Sequence, residues 1–113
     1  MKMIEAIIQP DLLGAVKAEL KKRNVSKMTV FHVKGCGTQM GYQESYRGQI
    51  HEVNLLRKVC IRIAVNDDFV QPVVEAITSA ARTGEIGDGK IFIQPLEECI
   101  RIRTGETGGK AIG

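Results

Sequence analysis

Apolar positions recur along this chain in two rhythms, one with the period of a strand and one with that of a helix. Residues Met3 to Ile8 are apolar enough for a first strand, closed by Pro10. Leu12, Leu13, Val16 and Leu20 return at the spacing of one helix face, with Asp11 placed to cap it. Lys17, Lys21, Lys22 and Arg23 fall mostly on the opposite side, and basic residues in a last turn suit the helix dipole. Asn24 is a stop signal. Met28 to Lys34, MTVFHVK, is rich in β-branched residues and predicts a second strand.

Alternation resumes from Lys58 to Val65, a third strand. Val59, Ile61 and Ile63 share one face there, and Lys58, Cys60 and Arg62 the other. Asp67 or Asp68 is placed to cap a second helix with apolar residues at 70, 73, 74, 77 and 81, ended by Arg82 and Gly84. The run Ile91-Phe92-Ile93 predicts a fourth strand. After Pro95 a short extended segment follows, with Cys99, Arg101 and Arg103 on one face and Ile100 and Ile102 on the other. The chain closes on a Gly-rich tail. The order β-α-β, long loop, β-α-β, short strand predicts a single α+β domain of ferredoxin-like βαββαβ type over residues 1–113.

Residues 35–56 break both rhythms. They carry Gly35, Gly37, Gly41 and Gly48 among scattered polar residues, and a loop this long in so small a domain usually serves function. Composition narrows the rest. With 113 residues, 43% hydrophobic and 26% charged, the chain is an ordinary globular domain with one modest core. A net charge of +3 does not point to nucleic acid. No apolar run approaches the roughly 20 residues of a membrane span, and no leader pattern is present, so a cytoplasmic location is expected. Cys36, Cys60 and Cys99 are odd in number and widely spaced, which favours neither a disulfide framework nor a zinc site. His32 and His51 have no ligand partner at helical spacing.

The chemistry concentrates in residues 82–105, RTGEIGDGKIFIQPLEECIRIRTG. Glycines at 84, 87 and 89 let backbone N–H groups approach an anion, and Lys90 adds a point charge just beyond. Arg101 and Arg103 add two forks suited to phosphate or carboxylate. A charge about 4 Å from a phosphate contributes roughly 4 kcal/mol at a protein-surface dielectric. The alternative is a plain hairpin turn followed by a solvated arginine face. The loop is not a Walker P-loop, since neither Ser nor Thr follows Lys90.

TGEIGDGKIFIQPLEECIRIRTGE resembles the C-terminal signature of the PII nitrogen-regulatory signal proteins. The likeness extends to MKMIEAIIQP at the start, KGCGTQMGYQESYRG in the middle and TGETGGKAIG at the end. It implies a homotrimer that binds ATP or ADP between subunits, with 2-oxoglutarate and Mg²⁺ as the second ligand. Carried over, it implies that Gly87, Asp88, Gly89 and Lys90 hold phosphates from one subunit, and Arg101 and Arg103 reach them from the next. It places Thr29, Arg62, Ile63 and Ala64 around the nucleotide base, and Gly35, Gly37, Thr38 and Gln39 beside the phosphates. Gln39 would also ligate Mg²⁺, and Gln39, Met40, Gly41, Lys58 and Gly87 would surround 2-oxoglutarate. Tyr46, Arg47 and His51 fall on the partner-facing part of the long regulatory loop. The implied partners are an ammonium channel, a glutamine-synthetase-related enzyme or nitrogenase, with membrane contact only through a channel.

Several positions depart from the family pattern. Thr38 stands where an arginine is common, Lys27 where a glycine precedes Met28, and Arg62 where an acidic residue is common. These bear on discrimination between ATP and ADP. His51 takes the place of the tyrosine that is nucleotidylylated in some relatives, and Gln49 that of a phosphorylated serine. Two other function classes compete. An enzyme acting on a nucleotide needs a positioned nucleophile and a metal clamp, yet Glu85 and Asp88 stand beside no Ser, His or Cys that they could activate, so no enzymatic activity is expected. An RNA-binding domain of the same strand order stacks bases on strand aromatics, and KVCIRIAV (58–65) has none. A PII-like sensor of a different small molecule is a further alternative.

Overall fold

Strand β1 (Lys2–Ile8) lies in the middle of the sheet, and the other elements pack around it. In the computed structural model, residues 1–35, 42–46, 49–53 and 55–113 are described, those of 42–46 and 49–53 by their backbone alone. Helix α1 (Leu13–Lys22), β2 (Thr29–Gly35), β3 (Tyr42–Tyr46), β4 (Gln49–Val53) and β5 (Leu56–Val65) follow. Then come α2 (Val70–Ala81), β6 (Lys90–Pro95) and the single-turn helix α3 (Gly109–Ile112). The main sheet has the order β2-β5-β1-β6, with every neighbouring pair antiparallel. That is the order two split β-α-β units produce when each lays its second strand outside the other's first. The α+β expectation holds.

Strand alternation decides the core. Ile4, Ala6 and Ile8 of β1 stand opposite Ile63, Ile61 and Val59 of β5, and all six are buried. Val16 and Leu20 of α1 and Val73, Ala76, Ile77 and Ala81 of α2 cover that face, which puts both helices on one side of the sheet. Each fully buried aliphatic side chain contributes about 1.5–3 kcal/mol of transfer free energy. The second face, carrying Met3, Glu5, Lys58, Cys60, Arg62, Phe31 and Phe92, is covered by neither α1 nor α2; only the short α3 borders it, beside Arg62 and Phe31. Phe31 and Phe92 are 43% and 48% exposed there.

Four local expectations are corrected. Neither Asp11 nor Asp67 nor Asp68 caps a helix. Each helix is entered through a single 3₁₀ turn, Pro10–Leu12 or Asp67–Phe69, which contains the acid, and no side chain caps either start. The long segment 35–56 includes a paired hairpin, β3 with β4, that forms a separate two-stranded sheet. Hydrophobic period reports strands that bury one face on a core, and this hairpin is not part of the core sheet. The final strand is replaced by a tight turn. Ile100 makes a lone bridge to Thr107, and the Gly105 amide donates to the Arg101 carbonyl at 2.7 Å. Gly105 (φ +74°) permits that reversal, so Ile102 and Arg103 project from a turn instead of alternating along a strand. Lastly, the Gly-rich tail contains α3.

The stop at Asn24 holds in detail. Asn24 adopts φ +62°, its amide bonds Lys21 O and the Val25 amide bonds Leu20 O, each at 3.0 Å. This closes α1 with a Schellman motif, and Val25 and Leu20 are both buried.

Candidate ligand-binding site

The loop between α2 and β6 is built by Asp88. Its carboxylate accepts from the Thr83 amide at 2.8 Å, the Gly84 amide at 2.9 Å and the Thr83 hydroxyl. Thr83 Oγ1 in turn accepts from the Glu85 amide. These bonds, led by the Thr83 hydroxyl, hold the Asp88 carboxyl below the usual carboxylate range. Asp88 thus shapes the loop, and its charge is directed inward. Gly87 and Gly89 take φ +105° and +101°. At Gly89 the backbone lies directly on β1, where a Cβ would sit 1.7 Å from the Ile7 carbonyl oxygen. Only glycine fits. Lys90 follows as the first residue of β6, opposite Ile7, with its side chain exposed.

Lys58 joins this loop to the sheet. It is 9% exposed, and its Nζ donates to the Gly87 carbonyl at 3.0 Å. Among the described residues that carbonyl is the one partner of an ammonium that carries three N–H donors. The structure therefore brings Lys58, Gly87, Asp88, Gly89 and Lys90 together at one corner of the sheet. Arg62 lies on the same face of β5, four residues and about 13 Å further along. It stands opposite Thr29 on one side and Glu5 on the other. Thr29, Arg62 and Ala64 line an open cleft with Lys27, Phe31, Cys99 and Ile112. Ile63 points the other way into the core at 1% exposure, which leaves only its backbone for a ligand.

Arg101 and Arg103 are not brought to the glycine loop within this chain. Arg103 projects into solvent from the turn. Arg101 is engaged through both Nη atoms, with Nη1 on Glu106 Oε1 at 2.9 Å and Nη2 on the backbone oxygens of Lys110 at 3.1 Å and Gly113 at 2.7 Å. Sequence reasoning missed Glu106 and the tail as neighbours of this arginine, and Asn66 as a neighbour of the tail, and no periodic signal marks them. It also missed Glu5, whose carboxylate accepts from the Cys60 thiol at 3.3 Å. Gly35 ends β2. Cys36, Gly37, Thr38, Gln39, Met40, Gly41, Arg47 and Gly48 lie outside the described residues, and Tyr46 and His51 are placed by backbone alone. Cys60 and Cys99 are free thiols. Among the described residues no helix is long and apolar enough to cross a membrane.

A four-stranded antiparallel sheet with two helices on one face, a glycine loop tied to it by a buried lysine, and a hairpin outside the core sheet define the class. This is a small α+β domain of ferredoxin-like strand order. The family follows from comparison: the model for Nitrogen regulatory protein P-II matches residues 1–106, and the chain belongs to that family. It is 53% identical to Nitrogen regulatory protein GlnK1 of Methanosarcina mazei, over 99% of this chain and 97% of that one. It is 54% identical to Nitrogen regulatory protein P-II of Cereibacter sphaeroides, over 99% of this chain and 100% of that one. Nitrogen regulatory protein P-II 2 of Methanothermobacter thermautotrophicus is 52% identical over 99% of this chain and 97% of that one. These relatives bear the names of regulators, not of enzymes.

Proposed function

We propose that this chain reports cellular energy and carbon status by binding ATP or ADP, and 2-oxoglutarate with Mg²⁺, between the subunits of a homotrimer. The observation that carries the reading is the bond from buried Lys58 to the Gly87 carbonyl, which ties a cation to a glycine loop on the central strand. Phosphates would sit on the loop Gly87 to Lys90, with Arg101 and Arg103 arriving from the neighbouring subunit. The base would rest in the cleft of Thr29, Arg62 and Ala64. A second anion beside Lys58 would use its two remaining donors, and the 2-oxoglutarate carboxylate is such a group.

Mg²⁺ would suit such a donor set. The ion favours a few protein oxygens supplemented by phosphate oxygens and water, and the Gln39 amide oxygen would be its protein ligand. The metal would offset repulsion between the two anions, while Lys58 orients the carboxylate. The uncovered sheet face with Phe31 and Phe92 is suited to burial against two further copies, and sedimentation of a stable monomer would count against it. Output would pass through the long loop, with Tyr46, Arg47 and His51, to an ammonium channel, a glutamine-synthetase-related enzyme or nitrogenase in the cytoplasm. The chain itself would catalyse nothing.

Calorimetric titration with ATP, with and without 2-oxoglutarate and Mg²⁺, tests the reading. Lys90→Ala and Arg101→Ala should each weaken ATP binding by about 1.5–3 kcal/mol, the contribution of a charge-assisted hydrogen bond. Equal affinity in both variants and the parent would refute the phosphate assignment.

A further inference from the structure

The tail from Gly109 to Gly113 is held at three separate points. Arg101 Nη2 donates to the carbonyls of Lys110, Ala111 and Gly113 at 3.1, 3.4 and 2.7 Å. Lys27 Nζ donates to the Gly113 oxygen at 3.0 Å. Asn66 Nδ2 donates to the Gly109 carbonyl at 3.2 Å, a contact so close that a Cβ on Gly109 would lie 2.9 Å from Asn66 Oδ1. The tail is therefore docked through specific bonds. Its side chains also fill space, with Ala111 and Ile112 forming one wall of the cleft lined by Thr29, Arg62 and Ala64.

We propose that this tail is an internal latch that competes with nucleotide, a conclusion that rests on the nucleotide reading above. Backbone oxygens of the tail stand in for phosphate oxygens. While three of them occupy Nη2 and Glu106 occupies Nη1, the Nη1/Nη2 edge of Arg101 is taken and not open to a phosphate. In the same stretch Ile112 lines the cleft proposed for the base. Nucleotide binds only the unlatched fraction, so apparent affinity falls by that fraction. By reciprocity, bound nucleotide releases the tail.

A reversible lock separates this from the parent reading. A Cβ at position 109 would lie 3.5 Å from Asn66 Cγ, which is within disulfide reach. In the full chain, Asn66→Cys with Gly109→Cys should bind ATP when reduced and lose about tenfold or more in affinity when oxidised, the factor carried by one charge-assisted bond. Peptide mapping verifies the 66–109 cross-link. Asn66→Ala, outside the proposed site, should bind ATP more tightly than the parent and exchange its 109–113 amides faster. If the verified cross-link leaves ATP affinity unchanged, the latch is wrong while the nucleotide site stands. If the cross-link does not form, unchanged affinity in Asn66→Ala overturns the latch in the same way. A parent chain that binds no nucleotide overturns both.

Discussion

Gly89 is where the glycine loop is pressed hardest against the sheet, and alanine there should be costly for two additive reasons. The first is conformational. At φ +101° an L-residue is strained by about 1–3 kcal/mol. The second is steric. The new Cβ would sit 1.7 Å from the Ile7 oxygen and 2.8 Å from its carbonyl carbon, where ordinary contact begins at 3.4 Å. Ile7 cannot retreat, because β1 is hydrogen-bonded to β5 on one side and β6 on the other. The loop must lift instead, which breaks the 3.0 Å bond from Lys58 Nζ to Gly87. Together these predict a loss of about 3–5 kcal/mol in unfolding free energy, in the range of severe single substitutions. Gly84 supplies the control. It has φ +87° with nothing within 4 Å of a built Cβ, so Gly84→Ala incurs the strain without the clash. Its expected cost is about 1–2 kcal/mol. Urea unfolding followed by circular dichroism, at equal protein concentration, measures both. If Gly89→Ala is no less stable than Gly84→Ala, the close approach to β1 does not hold the loop.

Two further outcomes follow from titrating groups. Asp88 has its carboxyl pKa depressed, so its stabilising bonds are complete above the ordinary value of 3.8 and are lost as pH falls through the depressed one. The Thr83 and Gly84 amide resonances should move together in that acid range, and Asp88→Asn should abolish the movement. The Cys60 thiol is pushed up to about 11 by burial and by the Glu5 carboxylate. Its contribution to stability is full below the ordinary value of 9.0 and is lost as pH rises through about 11. At pH 8, iodoacetamide should modify Cys99 well before Cys60, as read by peptide mass; equal rates would mean that Cys60 is not buried.

Where a residue's role depends on local pattern, the sequence was enough to find it. Ile4, Ile61 and Ile77 announce themselves by period, and the positive φ at Asn24 follows from its place just beyond the basic end of α1. Glycine spacing marked the loop 82–90 because tight reversals have few alternatives. What eluded pattern was long-range or side-chain specific. Asp67 resembles a cap, but its carboxylate accepts from the Met1 amino group at 2.9 Å, a contact between residues far apart in the chain. Arg101 and Arg103 alternate like strand residues until Gly105 turns the backbone between them and Glu106. Nothing in the spacing of Asn66, Lys27 and Arg101 predicts that all three hold the tail. The hairpin 42–53 lacks the apolar stripe by which a core strand is recognised.

The central position of β1 has a consequence for how the protein is made. It precedes the other strands of this sheet in the chain, yet Ile4 pairs with Ile63 and Ile93, many residues later. At ordinary translation rates the strand waits on the order of ten seconds for both partners. Until β5 arrives, closing the sheet requires a long loop, which slows folding and lengthens exposure of Ile4, Ile7 and Ile8. Lys2 and Glu5 interrupt that apolar run, and Pro10 ends it three residues after Ile7. Charges and proline in these positions are what discourages nascent chains from pairing such strands with one another.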